Sequence, residues 1–88
     1  MKYDWELNIL KCFVDLGGHA WNYKLYAALD QRIALEPHHM RPQWGNRPAF
    51  ENQVRSHLSN LCDKHQLLKI RSGLHVITQT GNARANSN

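Results

Sequence analysis

Asn52, Arg55, Ser56 and Ser59 are the side chains whose types and spacing most readily do chemistry. They lie opposite an apolar series, Phe50, Val54, Leu58 and Leu61, which steps by four, four and three residues. That step marks one face of an α-helix at about 100° per residue. The opposite stripe is Asn52, Ser56, Ser59 and Asp63, with Arg55 beside it. It is short, polar and almost uncharged. A merely solvated helix face more often carries Glu and Lys one turn apart. Short hydrogen-bonding side chains with one arginine suit the floor of a DNA major groove, where Asn can bond adenine and Arg guanine through paired hydrogen bonds. Glu51 reads as a helix-start acid, because DNA repels it.

Other chemistries are poorly served. Cys62 and His65 are three apart on the same helix, and His57 lies five before Cys62. No Cys-x-x-Cys pair completes a tetrahedral set, so Cys62 is expected to pack as a small hydrophobe and no metal or other cofactor is expected. His38, His39, Asn52 and His57 faintly resemble a histidine-metal nuclease, but such a site needs its hairpin before its helix. Here the hairpin follows. No Ser or Cys stands with a His and an acid in a strained turn. The chain is not expected to be an enzyme.

The elements that must position the stripe follow from local signals. Asp4 can cap a first helix over residues 5–16, with Trp5, Ile9, Leu10, Phe13, Val14 and Leu16 facing a core. Gly17-Gly18 ends it. His19-Ala20-Trp21 is long enough only for a brief extended segment, a candidate third strand. Asn22 can cap a second helix over residues 23–35, with Leu25, Leu29 and Ile33 inside, and Glu36-Pro37 stops it. Residues 37–47 read as a long basic loop holding His38, His39, Arg41, Trp44 and Arg47. The helix that carries the stripe spans residues 48–65, with Pro48 in its first turn.

Leu67-Leu68-Lys69-Ile70 and Leu74-His75-Val76-Ile77 then form a β-hairpin around Arg71-Ser72-Gly73. A three-residue loop ending in a left-handed glycine pairs Ile70 with Leu74 and Leu68 with Val76 on the core face. It puts Lys69 opposite His75 on the outer face and Arg71 at the tip. Residues 82–88 are expected to be a polar, frayed tail beyond a domain of residues 1–81.

Composition sets the bounds. At 88 residues this is one domain, and 42% hydrophobic residues suffice for one core. The net charge is +4. Residues 1–30 hold three Lys against four Asp or Glu, whereas residues 31–88 hold eight Lys or Arg against three acids. The positive field therefore belongs to the half with the stripe and the hairpin, which favours a polyanionic partner. Cys12 and Cys62 make no disulfide framework. No signal peptide and no run approaching the ~18 apolar residues of a membrane span is present, so the expectation is a cytoplasmic protein with reduced thiols and no membrane partner.

The fold class these signals predict is α+β: a winged helix-turn-helix of three helices plus a C-terminal hairpin wing. Leu16-Gly17-Gly18, Leu25-Tyr26, the run from Asn46-Arg47-Pro48 through Phe50-Glu51-Asn52 to Val54-Arg55, Leu58-Ser59-Asn60-Leu61 and Ile77-Thr78-Gln79-Thr80-Gly81 carry a resemblance. Over about residues 5–83 the chain resembles the N-terminal winged-helix domain of Mrr-type restriction endonucleases. The resemblance implies a module that recognises DNA while a separate nuclease domain or subunit cuts it. Trp21-Asn22 and His38-His39 depart from that family's pattern.

The expected DNA contacts are Asn52, Arg55, Ser56 and Ser59 on bases. Arg41 and Arg47 should meet phosphate at the helix entry, and Lys69, Arg71 and His75 should hold the wing on the backbone or in the minor groove. Double-stranded DNA is the expected partner, and a homodimer is compatible with the fold. The alternative is a protein-interaction or dimerisation module on the same scaffold.

Overall fold

The computed structural model describes residues 4–33 and 49–87. The expected end of the second helix, the basic loop and Pro48 lie outside the described residues. Among the described residues, four helices and three strands run in the order α1 (Trp5–Asp15), β1 (His19–Trp21), α2 (Asn22–Arg32), α3 (Ala49–Asp63), β2 (Leu67–Arg71), β3 (Leu74–Ile77) and α4 (Gln79–Asn86). The strands form one antiparallel sheet in the order β1-β3-β2. The α+β class and the third strand agree with expectation, but the helix count does not.

Helix α1 begins where Asp4 accepts a hydrogen bond from the Leu7 amide at 3.0 Å. Its apolar residues Trp5, Ile9, Leu10, Cys12 and Phe13 are all buried. The helix closes with two reversed bonds, Gly18 N to Phe13 O at 2.7 Å and Gly17 N to Val14 O at 3.1 Å. Such a closure needs a left-handed residue, and Gly17 supplies it at φ +92°. Gly18 O then accepts from Ile77 N at 2.7 Å, so the sheet starts the moment the helix ends.

Helix α3 buries Phe50, Val54, Leu58 and Leu61, the series expected from their spacing. It ends two residues earlier than predicted, at Asp63. The same closing motif recurs there: His65 N bonds Cys62 O at 3.0 Å and Gln66 N bonds Leu61 O at 2.9 Å. His65 occupies the left-handed position at φ 60°, uncommon for a residue with a side chain. The second helix also starts earlier than predicted. Trp21, not Asn22, holds the cap position and gives no side-chain cap. The Asn22 amide donates instead to Gly73 O at 2.8 Å, which fixes the residue against the hairpin turn.

The hairpin is turned over relative to expectation. Lys69 does oppose His75 and Leu68 opposes Val76, but Arg71, not Ile70, opposes Leu74. An irregularity between Lys69 and Arg71 absorbs Ile70, and the turn shrinks to Ser72-Gly73. Leu67 and His75 are buried, whereas Leu68 and Ile70 are more than half exposed. The closing motif of α3 delivers Leu67 straight into the core. Side chains alternate along a strand, so Leu68 must then face out. Ala20, which pairs with His75, is buried on the same inner face.

The polar tail expected after residue 81 is the rest of α4, which buries Gly81 and Ala85. Thr78 starts it. The Thr78 hydroxyl donates to His65 O at 2.6 Å and accepts from Gly81 N at 3.0 Å. Arg84 reaches back to the Glu6 carboxylate at 3.3 Å and to Gln66 Oε1 at 2.8 Å. Glu6 also takes Lys64 Nζ at 2.7 Å and sits 3.3 Å from His57 Nδ1. One carboxylate thus joins α1, α3, the following turn and α4. His57 is stacked on Trp5, with ring centres 6.1 Å apart.

Two predictions test this frame. Burial alone would raise the Glu6 pKa, but hydrogen bonds from Lys64, His57 and Arg84 outweigh it and bring it from 4.5 down to about 2. A depressed carboxylate stabilises the fold above its unfolded pKa and loses that contribution as pH falls through the folded value. Stability should therefore fall between about pH 5 and pH 2, and Glu6→Gln should flatten that slope while costing about 1–3 kcal/mol at pH 7. Denaturant melts across pH measure both.

The second concerns Gly81. A Cβ there would collide with the Gln66 carbonyl oxygen and lie 2.9 Å from Ile77 Cγ1. Gly→Ala inside a helix ordinarily stabilises by about 0.5–1 kcal/mol. Here the clash should reverse the sign, and Gly81→Ala should lower stability by about 2 kcal/mol. A thermal melt decides it.

Candidate functional site

The front of α3 is open to solvent. Arg55, Ser56 and Ser59 are exposed and Asn52 is half-buried. The stripe's place opposite the buried series follows directly from the helical period. Beside it, the α3–hairpin junction opens into a cleft of about 440 Å³. The cleft is lined by Asn22, Arg55, Leu58, Ser59, Cys62, Lys69, Ser72, Gly73 and His75.

Three distant stretches meet there. The β1–β3 pairing sets Trp21 opposite Leu74. Asn22 therefore falls beside the hairpin turn, where its amide bonds Gly73 O. Helix α3 supplies the opposite wall with Arg55, Leu58, Ser59 and Cys62. The rim is cationic and polar, since Arg55, Ser59, Lys69 and Ser72 are all exposed. The interior is less so, because Leu58 and His75 are buried and Asn22 and Cys62 half-buried.

Two side-chain atoms of the lining residues are closed off from solvent and have no hydrogen-bond partner among the described residues. Asn22 Oδ1 and His75 Nδ1 are both buried and accept or donate no hydrogen bond. Such orphans are costly, of order 1–3 kcal/mol each, and need an explanation. Burial, with the neighbouring Lys69 charge, lowers the His75 pKa below its usual 6.5, so the ring is neutral at pH 7. Burial also raises the Cys62 thiol, helped by Asp63. Cys62 is therefore a wall of the cleft and no activated nucleophile.

The cations are not equivalent. Lys64 and Arg84 are engaged by Glu6, and Arg32 lies 3.4 Å from Asp15. Arg55, Lys69 and Arg71 make no ion pair among the described residues. Among the described residues of this half of the chain, the unneutralised cations thus gather at the cleft and the neighbouring hairpin turn.

Of the residues expected to contact a partner, Arg55, Ser59, Lys69 and His75 line one cleft. Ser56 is exposed on the same helix and Arg71 is exposed where β2 enters the turn. His75 corrects the expectation of an outward wing residue: the inverted hairpin face puts it inside, at 6% exposure. Arg41 and Arg47 lie outside the described residues. Asn22, Ser72 and Gly73 were not foreseen as site residues. The third strand carried their signal, because pairing that ends at Trp21 must bring Asn22 to the turn. Among the described residues, no three His, Cys, Asp or Glu side chains come together as a metal site, and no helix is long and apolar enough to cross a membrane.

Fold and cleft together define a small α+β domain with a basic groove between its longest described helix and its hairpin. No model of a protein family, no curated protein and no solved structure matches the chain.

The orphaned His75 makes a prediction of its own. The unfolded chain binds a proton on this ring near pH 6.5, and the folded chain resists it. Stability should therefore rise with pH through that region and fall below it. His75→Leu removes both the orphan atom and the titration. It should melt no lower than the parent at pH 7 and show a flatter profile between about pH 7 and pH 5. Melts of both proteins over that range are the check.

Proposed function

We propose that the chain is a winged helix-turn-helix module that binds double-stranded DNA, with α3 in the major groove and the β2–β3 hairpin as the wing. The observation that carries this reading is charge placement. Arg55, Lys69 and Arg71 are exposed, unpaired among the described residues, and set on the two elements that such a module lays on a duplex. Arg55, Ser56 and Ser59 face solvent on one side of α3, where base edges would lie. Lys69 and Arg71 are the phosphate contacts of the wing. The order of elements supports the layout, and α4 is an addition to it. The likeness to the DNA-recognition domain of Mrr-type restriction systems suggests a nuclease domain or subunit as functional partner. In this reading the protein is not itself an enzyme and works in the cytoplasm, which suits its two free cysteines.

One observation favours a second reading. Trp21, Leu68 and Ile70 are exposed on the outer side of the sheet, at 40%, 54% and 57%. A protein-interaction or dimerisation module would use such a face. Salt separates the two, because DNA binding weakens steeply by counterion release.

Arg55→Ala should cost about 1–3 kcal/mol on a preferred duplex and flatten sequence preference. Arg71→Ala should weaken binding to every duplex alike and lower the salt slope by about one. Mobility shifts of both variants on preferred and scrambled duplexes, at several salt concentrations, measure this. No shift by the parent at about 50 mM salt would remove the DNA reading.

A further inference from the structure

We propose that the outer face of the three-stranded sheet is a dimer interface, on which a second copy of this chain packs face to face. The pairing registers set side chains in two rows across that face. Trp21, Leu74 and Arg71 form one row, and His19, Val76 and Leu68 form the other. Ile70, left out of the pairing, falls beside Arg71, because alternation from Lys69 turns it outward. Ala20, Leu67 and His75 point the other way and are buried. The outer face is therefore mostly apolar, and Trp21, Leu68 and Ile70 are exposed on it. Its one full charge is Arg71, since Lys69 turns to the cleft. No strand of the sheet holds an acid.

Three features select a second copy as the occupant. Contiguous exposed apolar surface marks a contact site, and homodimer interfaces are the more apolar kind. The charge pattern is also compatible with itself. A twofold axis between two such faces, running along β3, lays β3 on β3 and each β1 on the other copy's β2. Leu74 and Val76 then meet their own copies, and Trp21 lies over Ile70 and Arg71 of the other copy, a cation–π placement. Arg71 never meets Arg71, because it sits in an outer strand of the sheet. Sheets packed in this way keep their strands within about 30° of each other. Finally, β2 is poorly suited to edge-to-edge pairing. The irregularity at Ile70 and the charge of Lys69 are devices that blunt such an edge. A second copy therefore comes face-on.

The face lies on the opposite side of the sheet from the cleft, so association leaves Arg55, Ser56, Ser59 and Lys69 open. Dimerisation is thus joined to DNA binding, not set against it, and the inference does not rest on the DNA reading. A dimer of such modules would read two half-sites.

Three strands about 4.8 Å apart and three to five residues long make a face well below the ~800 Å² per partner of a standard interface. Sedimentation equilibrium of the full chain should therefore show a reversible dimer forming between about 10 µM and 1 mM. An NMR dilution series of the parent should shift amides of residues 19–21, 68–71 and 74–76 and spare the front of α3. Raising sodium chloride from about 0.1 M to 1 M should not weaken the association, because apolar contact is not screened. Leu68→Lys with Ile70→Lys should weaken it at least tenfold, about 1.4 kcal/mol. Both side chains are more than half exposed, so circular dichroism should show the parent's fold.

A monomer at every concentration, dilution shifts outside the sheet, or an undiminished dimer in the folded double variant overturns the proposal. So does a protein that stays monomeric yet cosediments with phosphatidylglycerol vesicles through Leu68 and Ile70, which gives the face to a lipid surface. A dimer that shifts no duplex removes the DNA reading and leaves this one standing. A monomer that shifts a duplex does the reverse.

Discussion

Trp5, Ile9, Leu10, Cys12 and Phe13 spread over a wide arc of α1, and all of them are buried. No single partner can cover such an arc. The helix is accordingly packed against α2, α3, α4 and the sheet together. At about 1.5–3 kcal/mol for each large side chain removed from water, this is the main source of stability. It also dictates the layout: α3 must turn Phe50, Val54, Leu58 and Leu61 toward the core, which leaves Arg55, Ser56 and Ser59 outward. The outward face of α3 is thus a by-product of where the hydrophobic surface has to go.

Burial alone does not fix how the pieces are registered. That is the work of a few directional contacts. Glu6 binds groups from three other segments, and its low pKa reflects how closely they hold it. Both α1 and α3 end in the same reversed hydrogen-bond pattern, one on Gly17 and the other on His65. Each ending delivers the chain to the sheet at a defined point. The Asn22 amide on Gly73 O then locks the hairpin turn to α2. The cleft is what remains between these fixed points and α3.

Local stability is given up around that cleft. An apolar residue at 75 would satisfy the core better than a neutral histidine with an orphaned nitrogen. Three cations without acid partners among the described residues, at the cleft and turn, add mutual repulsion. Glu6, by contrast, is held by Lys64, His57 and Arg84.

The amino-acid sequence by itself determined the α+β class, α1 with its Asp4 cap and glycine end, the inward face of α3 and the short strand before Asn22. Each of these rests on local signals: apolar spacing, a capping acid, a left-handed glycine. The sequence also placed Arg55, Ser56, Ser59, Lys69 and Arg71 on exposed surface. Only the tertiary structure decided which way the hairpin faces. Both faces of β2 carry leucine or isoleucine, so alternation along the strand could not choose between them. The end of α3 chose by driving Leu67 inward, and His75 followed. Residues 79–86 look polar, and Gly81 argues against a helix there. They fold as α4 because Thr78 caps it, Glu6 pairs with Arg84, and a glycine alone fits against the Gln66 carbonyl. The cleft belongs wholly to tertiary structure, since Asn22, Arg55 and His75 share no local pattern and meet only when the sheet closes on α3.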